Sequence, residues 1–154
     1  IGKNRPFSIE RNNFRQPHFI LNQHCMPIVT FLSDFGYRDH YVAAVKARIL
    51  KYCPQETIVD ISHAVDNGSI GEAAYLLQSV YTDFPKGTVH LAAVGVASHP
   101  NRRLIVAKLD GHYFVSADNG LIPLVGGDSL LEVYTLPNLG LLSDTNKIDQ
   151  GLVQ

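Results

Sequence analysis

Residues 26–36 read MPIVTFLSDFG, and this stretch decides the fold. Ile28 to Leu32 is apolar and β-branched, the composition of a strand inside a sheet. It delivers a single carboxylate, Asp34, to a Phe35-Gly36 exit. In an open α/β sheet, ligands bind at the carboxyl ends of strands. A carboxylate placed there can accept both hydroxyls of a ribose or hold a cation. The competing reading is a helix N-cap or turn aspartate.

Working outward, strand and helix patterns alternate. Asp39 is placed to cap a helix in which Val42, Val45 and Ile49 recur at i, i+3 and i+7, and Pro54 forbids its continuation. Thr57 to Ile61 reads as a short β-branched strand. Ser69 and Glu72 have the S-x-x-E form of a capping box, opening a helix with Ala73, Leu76, Leu77 and Val80 on one face. Phe84-Pro85-Lys86-Gly87 is a turn, and Thr88 to Val94 a nearly all-apolar strand. Leu104 to Leu109 and His112 to Ser116 flank Asp110-Gly111, a two-residue hairpin signal. Leu131 to Leu136 is the last strand. The order predicts an α/β fold, a mostly parallel sheet with helices on both faces in three layers.

Residues 1–25 differ from the rest: they are rich in Arg, Asn, Gln and Pro and lack any helical or alternating period. The chain's one methionine is Met26, so 1–25 is expected to be a disordered or non-native extension, 26–137 the α/β domain, and 138–154 a tail or linker. The 154 residues, 45% hydrophobic, suffice for one domain with a real core. A net charge of -1 with no Lys/Arg run argues against nucleic acid or an anionic membrane as partner, and no apolar run approaches a membrane span. The absence of targeting signals gives a cytoplasmic expectation. Cys25 and Cys53 make no disulfide framework. The seven histidines lack metal-ligand spacing and read mainly as core or surface residues.

The loops after the strands converge on one edge of such a sheet. Ser33 to Gly36, Ser62 to Gly68, Gly95 to Arg103 and Ala117 to Gly120 are rich in Gly, Ser, Asp, Asn and His, while the strands feeding them are apolar. This segregation supports a ligand site without naming the ligand. Asp34-Phe35-Gly36 copies the kinase DFG, but no Gly-rich loop, strand lysine or HRD loop precedes it. GxGxxG, GxxxxGK[ST] and G-x-S-x-G motifs are absent. Asp118-Asn119-Gly120 also suits pure turn chemistry.

Four blocks in this order carry a family resemblance: Ser33-Asp34-Phe35-Gly36, Ile58-Val59-Asp60-Ile61-Ser62-His63, Phe84-Pro85-Lys86-Gly87-Thr88-Val89-His90 and Asp118-Asn119-Gly120-Leu121. Together, over about residues 26–125, they resemble the S-adenosylmethionine (SAM) hydroxide adenosyltransferase, or SAM hydrolase, family, relatives of fluorinase and chlorinase. The resemblance implies an N-terminal α/β domain, a C-terminal β-barrel domain missing from this length of chain, and a homotrimer with sites between subunits. It also implies hydrolysis of SAM to adenosine and methionine, with SAM as substrate and neither metal nor cofactor.

Residue by residue, the resemblance gives Asp34 the ribose hydroxyls, with Phe35, Gly95 and Asn119 as further substrate-binding positions. Family hydrolases hold water with an Asp-Arg-His set. The matching loop here is Gly95-Val96-Ala97-Ser98-His99-Pro100-Asn101-Arg102-Arg103, in which Arg102 matches the arginine and Gly95 occupies the aspartate position. Three readings stay open: another group replaces the base, the nucleophile is held differently, or catalysis is lost. Under the first, His99 or Ser98 positions the water and Arg102 polarises it or fixes its partner; against it, His99-Pro100 is simply an exposed turn and Arg102 a surface residue at the strand's entry. This length of chain is expected to be inactive alone. The alternative to a SAM-cleaving enzyme is a non-catalytic SAM- or nucleoside-binding, or oligomerising, module.

Overall fold

The computed structural model describes residues 28–96, 103–127, 129 and 132–136. Among these, β1 is Ile28–Ser33, α1 Tyr41–Tyr52, β2 Thr57–Ser62, α2 Ile70–Val80, β3 Val89–Ala93, β4 Leu104–Leu109, β5 His112–Ala117, α3 Leu121–Gly126 and β6 Glu132–Leu136, with one 3-10 turn at Tyr81–Asp83. They form a six-stranded sheet in the order β2-β1-β3-β5-β4-β6. β2, β1, β3 and β5 run parallel, and β4 is antiparallel to both β5 and β6. The α/β, mostly parallel architecture anticipated from the apolar strands is thus the observed one.

The chain leaves β1 toward β2 through α1, then crosses back past β1 to β3 through α2. Connections therefore depart from β1 and β3 in opposite directions, opening a crevice between their carboxyl ends. Register places Ser33 beside Ala93, so Asp34 and Gly95 face one another across that crevice.

Alternation along each strand divides the core. Leu32, Ala92, Val94, Ile105, Ala107 and Phe114 point to one face, where Ala73, Ala74 and Leu77 of α2 and Leu121, Ile122 and Val125 of α3 cover them. Phe31 points the other way, toward Phe35, which in turn meets Tyr41 of α1, and Lys46 of α1 pairs with Asp60 of β2. α1 thus lies on the second face, over β1 and β2, giving helices on both faces, although it buries no residue completely.

Two local expectations need correction, one helix was not anticipated, and one turn forms as read. Residue His40, not Asp39, is the N-cap of α1, and its side chain makes no capping bond. α2 does begin after Ser69, yet the capping box does not close, because the Glu72 carboxylate accepts the Asp66 N–H at 3.0 Å instead. A loop donor wins over the helix's own end. The third helix, α3, carried no expectation: its six residues follow Asn119-Gly120, where turn chemistry dominates the local signal. Gly120 takes φ +89° there, a left-handed entry that glycine adopts without penalty. The Asp110-Gly111 hairpin forms as read, with φ of 52° and 85° matching a two-residue turn between right-twisted strands. No helix among the described residues is long and apolar enough to cross a membrane. Residues 1–25 and 138–154 lie outside the described residues.

Candidate functional site

Asp34 is the centre of the crevice. Its Oδ2 accepts the Gly95 N–H at 2.7 Å and the Gly68 N–H at 2.9 Å. One carboxylate oxygen thereby ties the loop after β1 to the loops after β2 and β3. The helix N-cap reading of Asp34 is excluded, since α1 starts seven residues later at Tyr41. A carboxylate has about four lone-pair positions. Two are taken by these backbone donors, and among the described residues Oδ1 receives no hydrogen bond. Two acceptor positions on one oxygen suit the paired hydroxyls of a vicinal diol.

Both loop donors depend on glycine. Gly68 has φ +73° and Gly95 φ +63°, which turns each N–H back toward Asp34. A Cβ on Gly95 would meet Ile70 Cδ1 at 3.4 Å, Gly68 Cα at 3.6 Å and Asn119 Nδ2 at 3.8 Å, all ordinary contacts. Conformation rather than space is what a side chain would strain there. Gly95→Asp, which puts a carboxylate at the family position, is therefore expected to cost roughly 1–2 kcal/mol. Thermal melting checks this, and an unchanged or raised Tm would contradict it.

Asn119 sits against Gly95 but has both ends of its amide engaged within the chain. Nδ2 donates to the Val94 carbonyl at 3.0 Å, and Oδ1 accepts the Leu121 N–H at 3.2 Å. It latches the end of β3 to the start of α3. Phe35 is half-buried between Phe31 and Tyr41, with centroids 6.3 and 6.0 Å away. Asp34, Gly95 and Asn119 are thus brought together, with Phe35 beside Asp34 beneath the turn. Ser98, His99 and Arg102 lie outside the described residues.

Directly below Asp34 is a second constellation that the sequence reading left without a role. Ser33 Oγ lies 2.7 Å from His63 Nδ1, and both residues are fully buried. His63 Nε2 lies 3.2 Å from Asp60 Oδ1, at an angle short of a full hydrogen bond. Asp60 also pairs with Lys46. Burial alone would raise the Asp60 carboxyl, but the Lys46 ammonium and the His63 ring outweigh it and hold it below its usual value. The signal available in the sequence was period 2: Phe31, Ser33 and Asp60 share one sheet face. Nothing local, however, brings His63 from 30 residues away.

Known proteins share the fold and sequence pattern of this chain. The SAM hydroxide adenosyltransferase N-terminal domain family matches residues 29–147. A protein of Thermus thermophilus named (R)-S-adenosyl-L-methionine hydrolase is 42% identical over 96 residues, 62% of this chain and 37% of its own length. One of the same name from Methanocaldococcus jannaschii is 37% identical over 105 residues, 65% of this chain and 40% of that one. A fluorinase of Nocardia brasiliensis is 31% identical over 127 residues, 79% of this chain and 41% of the fluorinase. The chain therefore spans about two-fifths of these relatives. Among solved structures, an uncharacterized conserved protein from Thermotoga maritima superposes with TM-score 0.68 at 33% identity, covering 73% of this chain and 44% of that one. A conserved hypothetical protein from Thermus thermophilus gives TM-score 0.65 at 37% identity, covering 75% and 48%. With the match running through every described element, the chain belongs to the SAM hydroxide adenosyltransferase N-terminal domain family.

Proposed function

We propose that this chain supplies the ribose-gripping side of a SAM-cleaving site. The observation that carries the reading is Asp34: a carboxylate fixed through Oδ2 at the topological switch point, whose Oδ1 receives no hydrogen bond among the described residues. Relatives named SAM hydrolase support it. In the proposed reaction, water attacks C5′ of SAM opposite the sulfonium. The O–C5′ bond forms, the C5′–S bond breaks with its electron pair passing to sulfur, and the attacking water releases a proton to solvent, giving adenosine and methionine. Sulfonium is a good leaving group, so the protein's task is positioning, which can supply roughly 7–11 kcal/mol of the barrier. Asp34 would fix the ribose by charge-assisted hydrogen bonds. Ser98, His99 and Arg102 are our candidates for holding the nucleophile, and Phe35, Gly95 and Asn119 for shaping the ribose pocket.

A second reading, a SAM- or nucleoside-binding module without catalysis, is favoured by Gly95. No carboxylate is present at that position, and its left-handed φ suits a backbone donor. Incubation of the protein with SAM and chromatography of the products separates the two. Adenosine release supports cleavage. Calorimetric binding of adenosine without release leaves the binding module, and absence of both sinks the proposal. For this length of chain we expect binding with little or no turnover.

A further inference from the structure

His63 holds the turn that carries Asp34 from both sides. Its imidazole Nδ1 pairs with Ser33 Oγ at 2.7 Å, just before Asp34. Its carbonyl accepts the Gly36 N–H at 2.7 Å, and its N–H donates to the Tyr37 hydroxyl at 3.3 Å, just after it. The ring also lies edge-on to Phe31 and Tyr37, with centroids 4.7 and 5.5 Å away. Asp34 therefore rides on a span whose two ends are fixed to one buried residue.

The partners select the ring's tautomer. Asp60 Oδ1, facing Nε2, is part of a carboxylate held by Lys46 and can only accept. The proton of a neutral ring therefore belongs on Nε2, and Nδ1 becomes an acceptor. Ser33 must then donate its hydroxyl proton to Nδ1, which leaves Ser33 Oγ free to accept the Phe35 N–H at 3.4 Å. The hydrogen-bonded chain runs from His63 through Ser33 to the Asp34–Phe35 peptide, and the Lys46–Asp60 ion pair lies beside its far end, 3.2 Å from His63 Nε2. Ser33 is fully buried, so this Ser-His-Asp set is not a nucleophilic triad.

We propose that His63 and Ser33, oriented by Asp60 and Lys46, are positioning residues that aim the Asp34 carboxylate, so that Oδ2 stays on Gly68 and Gly95 and Oδ1 faces a ribose diol. The diol half of this rests on the ribose reading of the site; the aiming of Oδ2 does not.

The two halves are tested separately on the full chain. Without ligand, amide NMR of Ser33→Ala and His63→Leu is compared with Asp34→Ala, which removes the shared acceptor. The Gly68 and Gly95 amides are expected to shift in the direction that Asp34→Ala moves them and to exchange about tenfold faster or more, the loss appropriate to one charge-assisted bond. The Ala107 and Leu109 amides, on the far side of the sheet, should stay put. His63→Asn, whose side-chain oxygen can take the Ser33 proton, should restore the glycine amides in large part. With ligand, wild type should bind adenosine about tenfold or more tightly than 2′-deoxyadenosine, and Ser33→Ala should erase most of that preference. Unmoved Gly68 and Gly95 amides in Ser33→Ala and His63→Leu would overturn the relay even if adenosine binds. Shifted amides in a protein that fails to prefer adenosine would keep the relay and discard the ribose reading. His63→Leu may be replaced by Ser33→Ala alone if it does not fold, since the serine change removes only one hydroxyl.

Discussion

Asp34→Ala is expected to destabilise the protein by about 3 kcal/mol and to abolish binding of adenosine. The stability loss comes from orphaning two backbone donors, Gly68 N–H and Gly95 N–H, that now share Oδ2. Hydrogen bonds to a charged acceptor are worth roughly 1.5–3 kcal/mol each, and an unmet donor costs about 1–3 kcal/mol where water cannot reach it. The crevice lets some water in, so the two losses do not simply add. Asp34→Asn separates fold from ligand. Its carboxamide oxygen can keep both glycine donors, but its other end becomes an NH2 group and the charge is gone. It should cost only about 1 kcal/mol in folding while weakening adenosine about tenfold or more. Urea unfolding and calorimetry read the two effects. If both variants lost stability yet bound adenosine normally, Asp34 would be a loop staple and nothing more.

The second large effect is an acid limb to stability, centred on histidines at the opposite end of the sheet. Thr30 Oγ1 lies 2.7 Å from His90 Nδ1, and His90 Nε2 lies 3.2 Å from His112 Nδ1. All three side chains are buried on the face covered by α2 and α3. Tyr81, which donates to Asp110 at 3.0 Å, closes over the pair, and Phe114 stacks on His90. Two neutral rings satisfy this chain with one proton between them; two imidazoliums would set N–H against N–H. Burial, reinforced by His112, lowers His90 to about 4. Burial lowers His112 as well; Asp110 opposes that shift and Lys86 adds to it.

An unfolded histidine titrates near 6.5, so between about 6.5 and about 4 the unfolded chain binds a proton that the folded one refuses. Stability attributable to His90 is therefore complete above pH 6.5 and falls as the pH drops toward 4, by roughly 3 kcal/mol in all. His90→Leu should flatten that limb while lowering the plateau at neutral pH, because Thr30 loses its partner. Denaturant titrations at pH 7.5, 6 and 5 test both halves, and a His90→Leu protein with an undiminished acid slope would exclude this origin.

Much of the architecture was legible because it rests on short-range patterns. The apolar runs at 28–32, 88–94 and 104–109 announce strands through residue type alone. The spacing of Ala73, Leu76, Leu77 and Val80 announces a helix through its 3.6-residue period. Asp110-Gly111 announces its turn because few other residues tolerate two positive φ values in succession. Misreadings arose where a local rule met a distant competitor. Glu72 fits a capping box, yet the Asp66 N–H, presented by the loop after β2, takes its carboxylate. Asn119 does make the turn read for it, since its Oδ1 accepts the Leu121 N–H two residues on. No local rule shows, however, that the same amide also donates to the Val94 carbonyl and opens a helix whose face is wanted by the core.

For the site, the sequence by itself determined which residue to watch and which edge to look at. Strand composition put Asp34 at the end of β1, and the polar loops marked the ligand side. It also fixed the family, since four ordered blocks are far more specific than any one. Only the tertiary structure decided what Asp34 does within the fold. Its partners, Gly68 and Gly95, are 34 and 61 residues away, and they meet it because β1 lies between β2 and β3 in the sheet. The same crossing brings His63 under Ser33. Strand order and loop φ angles create these contacts, and neither is written in any window of sequence short enough to read by period.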